Sequence, residues 1–126
     1  MMYFRTNTHK QVYTERLRNN PYRCTREYLS ALYILTADEQ LWKASRKYVR
    51  HTEIRFATIR LHKSTVISYT LLKIASDLYC DTAYMSYKEI CDKYLITDRY
   101  FELIITAIHI RRDGYDYLPF TQRGAI

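Results

Sequence analysis

The stretch from Arg46 to Lys63, RKYVRHTEIRFATIRLHK, carries side chains suited to one kind of chemistry, the gripping of anions. Arg46, Lys47, Arg50, Arg55, Arg60 and Lys63 fall within it, and Lys43 lies just upstream. A guanidinium holds a carboxylate or a phosphate with two parallel hydrogen bonds, whereas an ammonium acts as a compact point charge. His51 and His62 stand among these cations. Proton transfer beside positive charge is what RNA cleavage requires, so a small basic ribonuclease is one reading of the segment. Histidines in a basic loop are more often spectators, and the cations need no catalysis to explain them.

Other catalytic patterns are incomplete. His51-Thr52-Glu53 matches the His-x-Glu of zinc deaminases, but no Pro-Cys-x-x-Cys follows. Cys24, Cys80 and Cys91 are scattered, and neither Cys80 nor Cys91 has a close ligand pair, so no metal site is expected. Their odd number and spread suit reduced, partly buried thiols rather than a disulfide framework. Gly114 and Gly124, the only glycines, both sit near the C-terminus, which excludes a glycine-rich phosphate loop. No cofactor is expected, and the chain reads as a binding protein rather than an enzyme. His109 is expected as a hydrogen-bonded core residue, and His9 carries no signal either way.

The charge is uneven. Residues 43–63 hold seven Lys/Arg against Glu53 alone, a net +6, whereas residues 64–126 hold seven against eight, a net −1. The whole chain carries +7. Surfaces normally mix charge signs for solubility. An unmixed run repels itself, and an acidic protein face or a nucleic acid would relieve it.

A chain of 126 residues suits one domain, and 48% apolar residues suit a folded one. Only 2 Gly and 2 Pro argue for helices joined by short polar links, and against a many-turned β-sandwich. Thr6 or Asn7 opens a first helix to Arg18, and Thr25 caps a second through Tyr28, Leu29, Leu32 and Tyr33. Asp38 begins a third, with Leu41, Trp42, Tyr48 and Val49 along its apolar stripe. Residues 53–62 alternate apolar and polar, which fits a short two-stranded β element or an irregular crossing segment. Ser64 caps a fourth helix running through Ile67, Leu71, Ile74 and Leu78. Ser86 and Glu89 have capping-box spacing and open a fifth to about Tyr94. Thr97 or Asp98 caps the sixth, whose Phe101, Leu103, Ile104, Ile105, Ala107, Ile108 and Ile110 make it the expected central buried helix. Residues 115–126 read as an extended tail, anchored by Tyr115, Tyr117 and Phe120. The sum is an all-α, compact bundle of about six helices over 1–126. Fourteen tyrosines suggest rings half-buried at the rim of the core. Trp42 reads as packing inward, and Tyr48 as either packing or stacking on a base. The start MMYFRTNTHK has no apolar h-region and no run approaches membrane-spanning length, so a cytoplasmic protein with no membrane role is expected.

YKEICDKYLITDRYFELIITAI fits the helix-turn-helix spacing, with Leu95-Ile96 as the turn and the second helix over 97–106. A DNA-contacting set there would be Thr97, Arg99, Arg111 and Arg112. Leu95 stands where glycine is commonest, and Asp98 and Glu102 would repel phosphates.

HKQVY, EYLSALYILTADEQLW, TLLKIASDLY and RYFELIITAIHIRR, in that order, resemble a family of short uncharacterised proteins of Firmicutes and their phages, over roughly residues 4–115. The resemblance transfers no activity and no site residues. It implies a setting, a small accessory protein of a mobile element in a bacterial cell. Proteins of that size and setting are often inhibitors of host defence, including anti-CRISPR proteins. The expected partner is then an acidic host protein or nucleoprotein complex, met through Lys43, Arg46, Lys47, Arg50, Arg55, Arg60 and Lys63, with nucleic acid itself as a further candidate.

Overall fold

The computed structural model describes residues 2–62 and 65–119. Among them are six α-helices: α1 (Asn7–Arg18), α2 (Arg26–Leu35), α3 (Glu39–Ser45), α4 (Val66–Cys80), α5 (Tyr87–Ile90) and α6 (Asp98–Asp113). Single 3-10 turns follow α3 at Arg46–Tyr48, cross at Phe56–Thr58 and follow α6 at Gly114–Asp116. The all-α expectation holds. Residues 53–62 form no strand pair: one isolated antiparallel bridge joins Val49 to Ile54 before the chain turns into its 3-10 element. A lone ribbon of two strands is marginal in water, and this segment instead buries Ile54, Ile59 and Leu61 one by one, as Val49 is buried just before it.

Helix starts follow side-chain chemistry. The Thr6 and Thr25 hydroxyls and the Asp38 carboxylate each accept the backbone N–H three residues on, at 3.0–3.1 Å. Thr65 performs this for α4, and Ser64 lies outside the described residues. Ser86 and Glu89 form the full capping box. Helix α5 nevertheless stops at Ile90 and not near Tyr94. The Asp92 carboxylate accepts the N–H of Tyr94 at 2.9 Å, a local bond that competes with helix continuation.

The central helix is α2, not α6. Every residue from Tyr28 to Leu35 is buried, and α2 packs against both α4 and α6. The stretch from Tyr28 to Leu35 carries no charge, so it can be covered on all sides. Helix α6 has Asp98, Arg99, Glu102 and Arg112 to keep in water, and it buries only one face: Leu103, Ile104, Thr106, Ala107 and Ile110. His109 is therefore exposed, not in the core, and its ring stacks on Tyr117 with centroids 5.1 Å apart.

Residues 115–119 do not extend. After Gly114 the chain winds back, the Cys24 N–H donates to the Tyr115 hydroxyl at 3.1 Å, and Leu118 is buried. Phe120 and the remainder of the tail lie outside the described residues. Gly114 permits this reversal at φ +61°, where a Cβ would meet the Arg26 side chain at 2.7 Å. Cys24 is buried, whereas Cys80 and Cys91 are exposed, more open than the partly buried thiols expected. No helix among the described residues is long and apolar enough to cross a membrane.

The silent histidine of the sequence, His9, is buried. Its Nδ1 accepts the Arg5 N–H at 3.1 Å, so the proton must sit on Nε2, which lies 2.8 Å from the Tyr33 carbonyl. Phe4 packs edge-on to the ring. Burial above all holds its pKa down at about 4; the Arg5 charge acts the same way, and the Tyr33 carbonyl opposes.

Two expectations follow from the fold. Between pH 6.5 and 4 the unfolded chain binds a proton that folded His9 refuses. Stability is full above this window and falls through it, by on the order of 3 kcal/mol. Urea titrations across the window should show this slope, and a His9→Gln protein should have a flatter one. Gly114→Ala should cost about 1–3 kcal/mol, because no L side chain is comfortable at that φ, and thermal unfolding reads it directly.

A candidate anion-binding face

The basic segment is held from behind. Three successive carbonyls, Val49, Arg50 and His51, each accept a side-chain donor from the helical body. Arg16 of α1 donates to Val49 at 3.0 Å, Tyr28 of α2 to Arg50 at 2.6 Å, and Asn20 between them to His51 at 2.8 Å. On the far limb the Ile54 N–H donates to the Tyr79 hydroxyl of α4 at 3.1 Å. The bridge itself adds Arg50 N–H to the Glu53 carbonyl at 2.8 Å and Arg55 N–H to Tyr48 at 3.0 Å. Burial, the largest cause, pushes the Tyr28 phenol well above the ordinary tyrosine range, so it remains a donor. The loop's backbone thus faces the core while Arg50 and His51 project outward, exposed.

Residues on either side of this loop, within 40–48 and 60–62, line an open cleft of about 760 Å³ that includes Lys43, Arg46, Lys47 and Arg60, with Gln40, Tyr48 and His62 among their neighbours. Four of the seven predicted cations therefore share one site. No carboxylate lines it, and among the described residues none of the four forms an ion pair. Arg60 is oriented by its own loop, one Nη1 donating to the Ala57 carbonyl at 2.7 Å and to Ile59 at 3.0 Å, which leaves its other donors for a ligand. The Lys47 ammonium sits 5.2 Å from the centre of the half-buried Tyr48 ring. Arg55 does not line the cleft; it pairs with Glu53 at 3.0 Å, and Arg50 also stands outside the lining. Lys63 lies outside the described residues.

The two histidines do not share the site. His62 lines the cleft, while His51 lies beside Tyr22, ring centroids 6.1 Å apart. Trp42 is half-buried against the core under the Arg16 guanidinium, 5.1 Å from its ring centre. Among the described residues no group of three or more His, Cys, Asp or Glu is placed to hold a metal.

The helix-turn-helix set is dispersed. Thr97 and Arg99 are exposed at the start of α6, but Arg112 lies at its other end, about 20 Å away along the axis. Arg111 is turned inward, its Nε donating to the Leu78 carbonyl at 3.0 Å and an Nη meeting Glu27 at 3.2 Å. The helix before the turn is the single turn α5, which ends at Ile90, and Cys91 and Tyr94 beyond it are exposed.

Sequence reasoning missed the supporting residues Arg16, Asn20, Tyr28 and Tyr79. Each acts through a hydrogen bond to a backbone group 22–33 residues away in sequence, a pairing that leaves no local pattern. No family model matches the chain, and no curated protein and no solved structure matches it either.

Because the loop depends on these bonds, Tyr28→Phe should lower stability by about 1 kcal/mol. Hydrogen exchange should quicken selectively at the Arg50 and Arg55 amides, whose bridge partners the loop then holds less firmly.

Proposed function

We propose that this chain is a non-enzymatic binding protein that docks its basic cleft onto an anionic surface, an acidic host protein or a nucleoprotein complex. The observation that carries the reading is the gathering of Lys43 of α3, Arg46 and Lys47 of the turn after it, and Arg60 around one open cleft lined by no carboxylate, next in the chain to a loop whose carbonyls are pinned to the helical body. Cations held close together without partners repel one another, and an anionic ligand relieves that repulsion on binding. Rigid support lowers the ordering entropy that such a ligand must overcome. The resemblance to small proteins of Firmicutes phages supplies the setting. There the partner is a host complex, and the act of binding inhibits a defence system such as CRISPR-Cas.

Fluorescence anisotropy tests the reading with labelled duplex DNA, single-stranded RNA and polyglutamate across a salt series. Four cations meeting phosphates give a log–log salt slope of about −3 to −4, and Arg46→Glu/Lys47→Glu should make it about two shallower and weaken binding severely. Binding of polyglutamate alone, lost in the same variant, assigns the cleft to an acidic protein. Absence of binding to all three probes at low salt, or binding that the double variant leaves intact, overturns the proposal.

A further inference from the structure

The exposed side of α6 carries a second surface, separate from the basic cleft. Asp98, Phe101, Ile105, Ile108 and Arg112 follow one another at the three-and-four spacing that gives a helix a seam for another helix. None of them belongs to the face that α6 buries against the body of the protein. Phe101 is 37% exposed and Ile108 44%, and Ile105 is half-buried between them. Beside the seam lies an apolar groove of about 500 Å³, walled by Ile74 and Leu78 of α4, by Met85 and Ile90, and by Ile104 and Ile108 of α6. Tyr87, 86% exposed, also lines it. Single exposed apolar residues are ordinary, but a continuous seam next to an apolar groove marks a contact surface.

Charge along the seam says what covers it. On the seam side of the helix's N-terminal end Asp98 and Glu102 are exposed, while the exposed Arg99 lies about 100° around the helix from Asp98. Its C-terminal end carries Arg112, whose side chain is 79% exposed and is loosely paired with Asp113 at 3.8 Å. The apolar residues lie between, and Ile105 is at the middle of the helix. Such a gradient is complementary to itself when reversed. Two copies packed antiparallel set acidic end against basic end at both extremities, with Ile105 near the twofold axis; parallel packing would oppose like charges. The helix dipole alone rewards acid at the start and base at the end, but it does not call for an exposed apolar seam between them.

We infer that α6 is a self-association surface through which two copies of this chain form an antiparallel, twofold dimer. The dimer leaves the residues of the basic cleft unshared and gives the assembly two of them, so a partner with repeated anionic sites is held with avidity.

Sedimentation velocity across the micromolar range tests this. Wild-type protein should be dimeric, and Ile108→Asp monomeric with an unchanged circular dichroism spectrum. Asp98→Arg and Arg112→Asp should each weaken the dimer roughly tenfold, since each acts at two symmetry-related pairs. The two together should recover most of the loss. A dipole effect within one helix would instead be doubly penalised, so the recovery separates the two. In a Cys80→Ser/Cys91→Ser background, Ile105→Cys should oxidise to a linked dimer. A wild-type protein that stays monomeric, a dimer that survives Ile108→Asp, or a double exchange no better than the single ones overturns the inference. Whether the cleft itself binds anions is read separately, from the salt series and the Arg46→Glu/Lys47→Glu variant.

Discussion

A tyrosine that buries its ring must still find a partner for its hydroxyl, and this requirement organises the molecule. Tyr13, Tyr28 and Tyr33 are buried in the core, and each donates to a backbone carbonyl: Leu29, Arg50 and Tyr3 respectively. Two of those carbonyls belong to segments without regular structure, the N-terminal strip before α1 and the basic loop after α3. The core therefore reaches outward through phenols and ties down chain that secondary structure alone would leave loose. His9 does the same from α1, joining Arg5 to Tyr33 across one imidazole. The abundance of tyrosine, ambiguous as composition, is thus partly a set of internal crosslinks.

This arrangement lets cations crowd without being neutralised. A loop can be fixed by ion pairs or by neutral donors on its carbonyls. Ion pairs would have consumed the positive charge, as Glu53 does for Arg55. Here Asn20 and Tyr28 supply neutral donors, and the charged Arg16 binds a carbonyl rather than a carboxylate. Support and charge are kept apart: backbone inward, side chains outward. Exposed ion pairs contribute little to stability in any case, so little folding energy is forgone by leaving the cleft cations unpaired.

What was legible in the sequence was local. Thr6, Thr25, Asp38, Ser86 and Gly114 mark helix ends by chemistry confined to a turn or two, and the structure uses all five. Four of the cleft cations were legible as a run because three of them lie on one short stretch, Lys43 to Lys47. What failed was non-local. Helix α6 looked more buried than α2 because apolar count says nothing about how many faces a neighbour will cover. The alternation over 53–62 was real burial of Ile54, Ile59 and Leu61, but no neighbouring strand exists among the described residues to turn it into a sheet. His9 gave no sign because its burial depends on Phe4 and Tyr33, and the latter is 24 residues distant.

The misjudged helix also explains why this fold has surface to spare. A bundle built around one helix that is uncharged from Tyr28 to Leu35 needs only one face from each neighbour, and α6 gives that core its Leu103, Ala107 and Ile110 side. Its remaining apolar residues were not needed for the core, yet they cost exposure in water. A sequence selected for the monomer alone would gain by placing polar residues at Phe101 and Ile108, as it does at Asp98, Glu102 and Arg112 on the same side. Their placement at seam spacing, between Asp98 and Arg112, is physically consistent when that side of the helix is covered by something with the inverse pattern. The same helix running the other way supplies it.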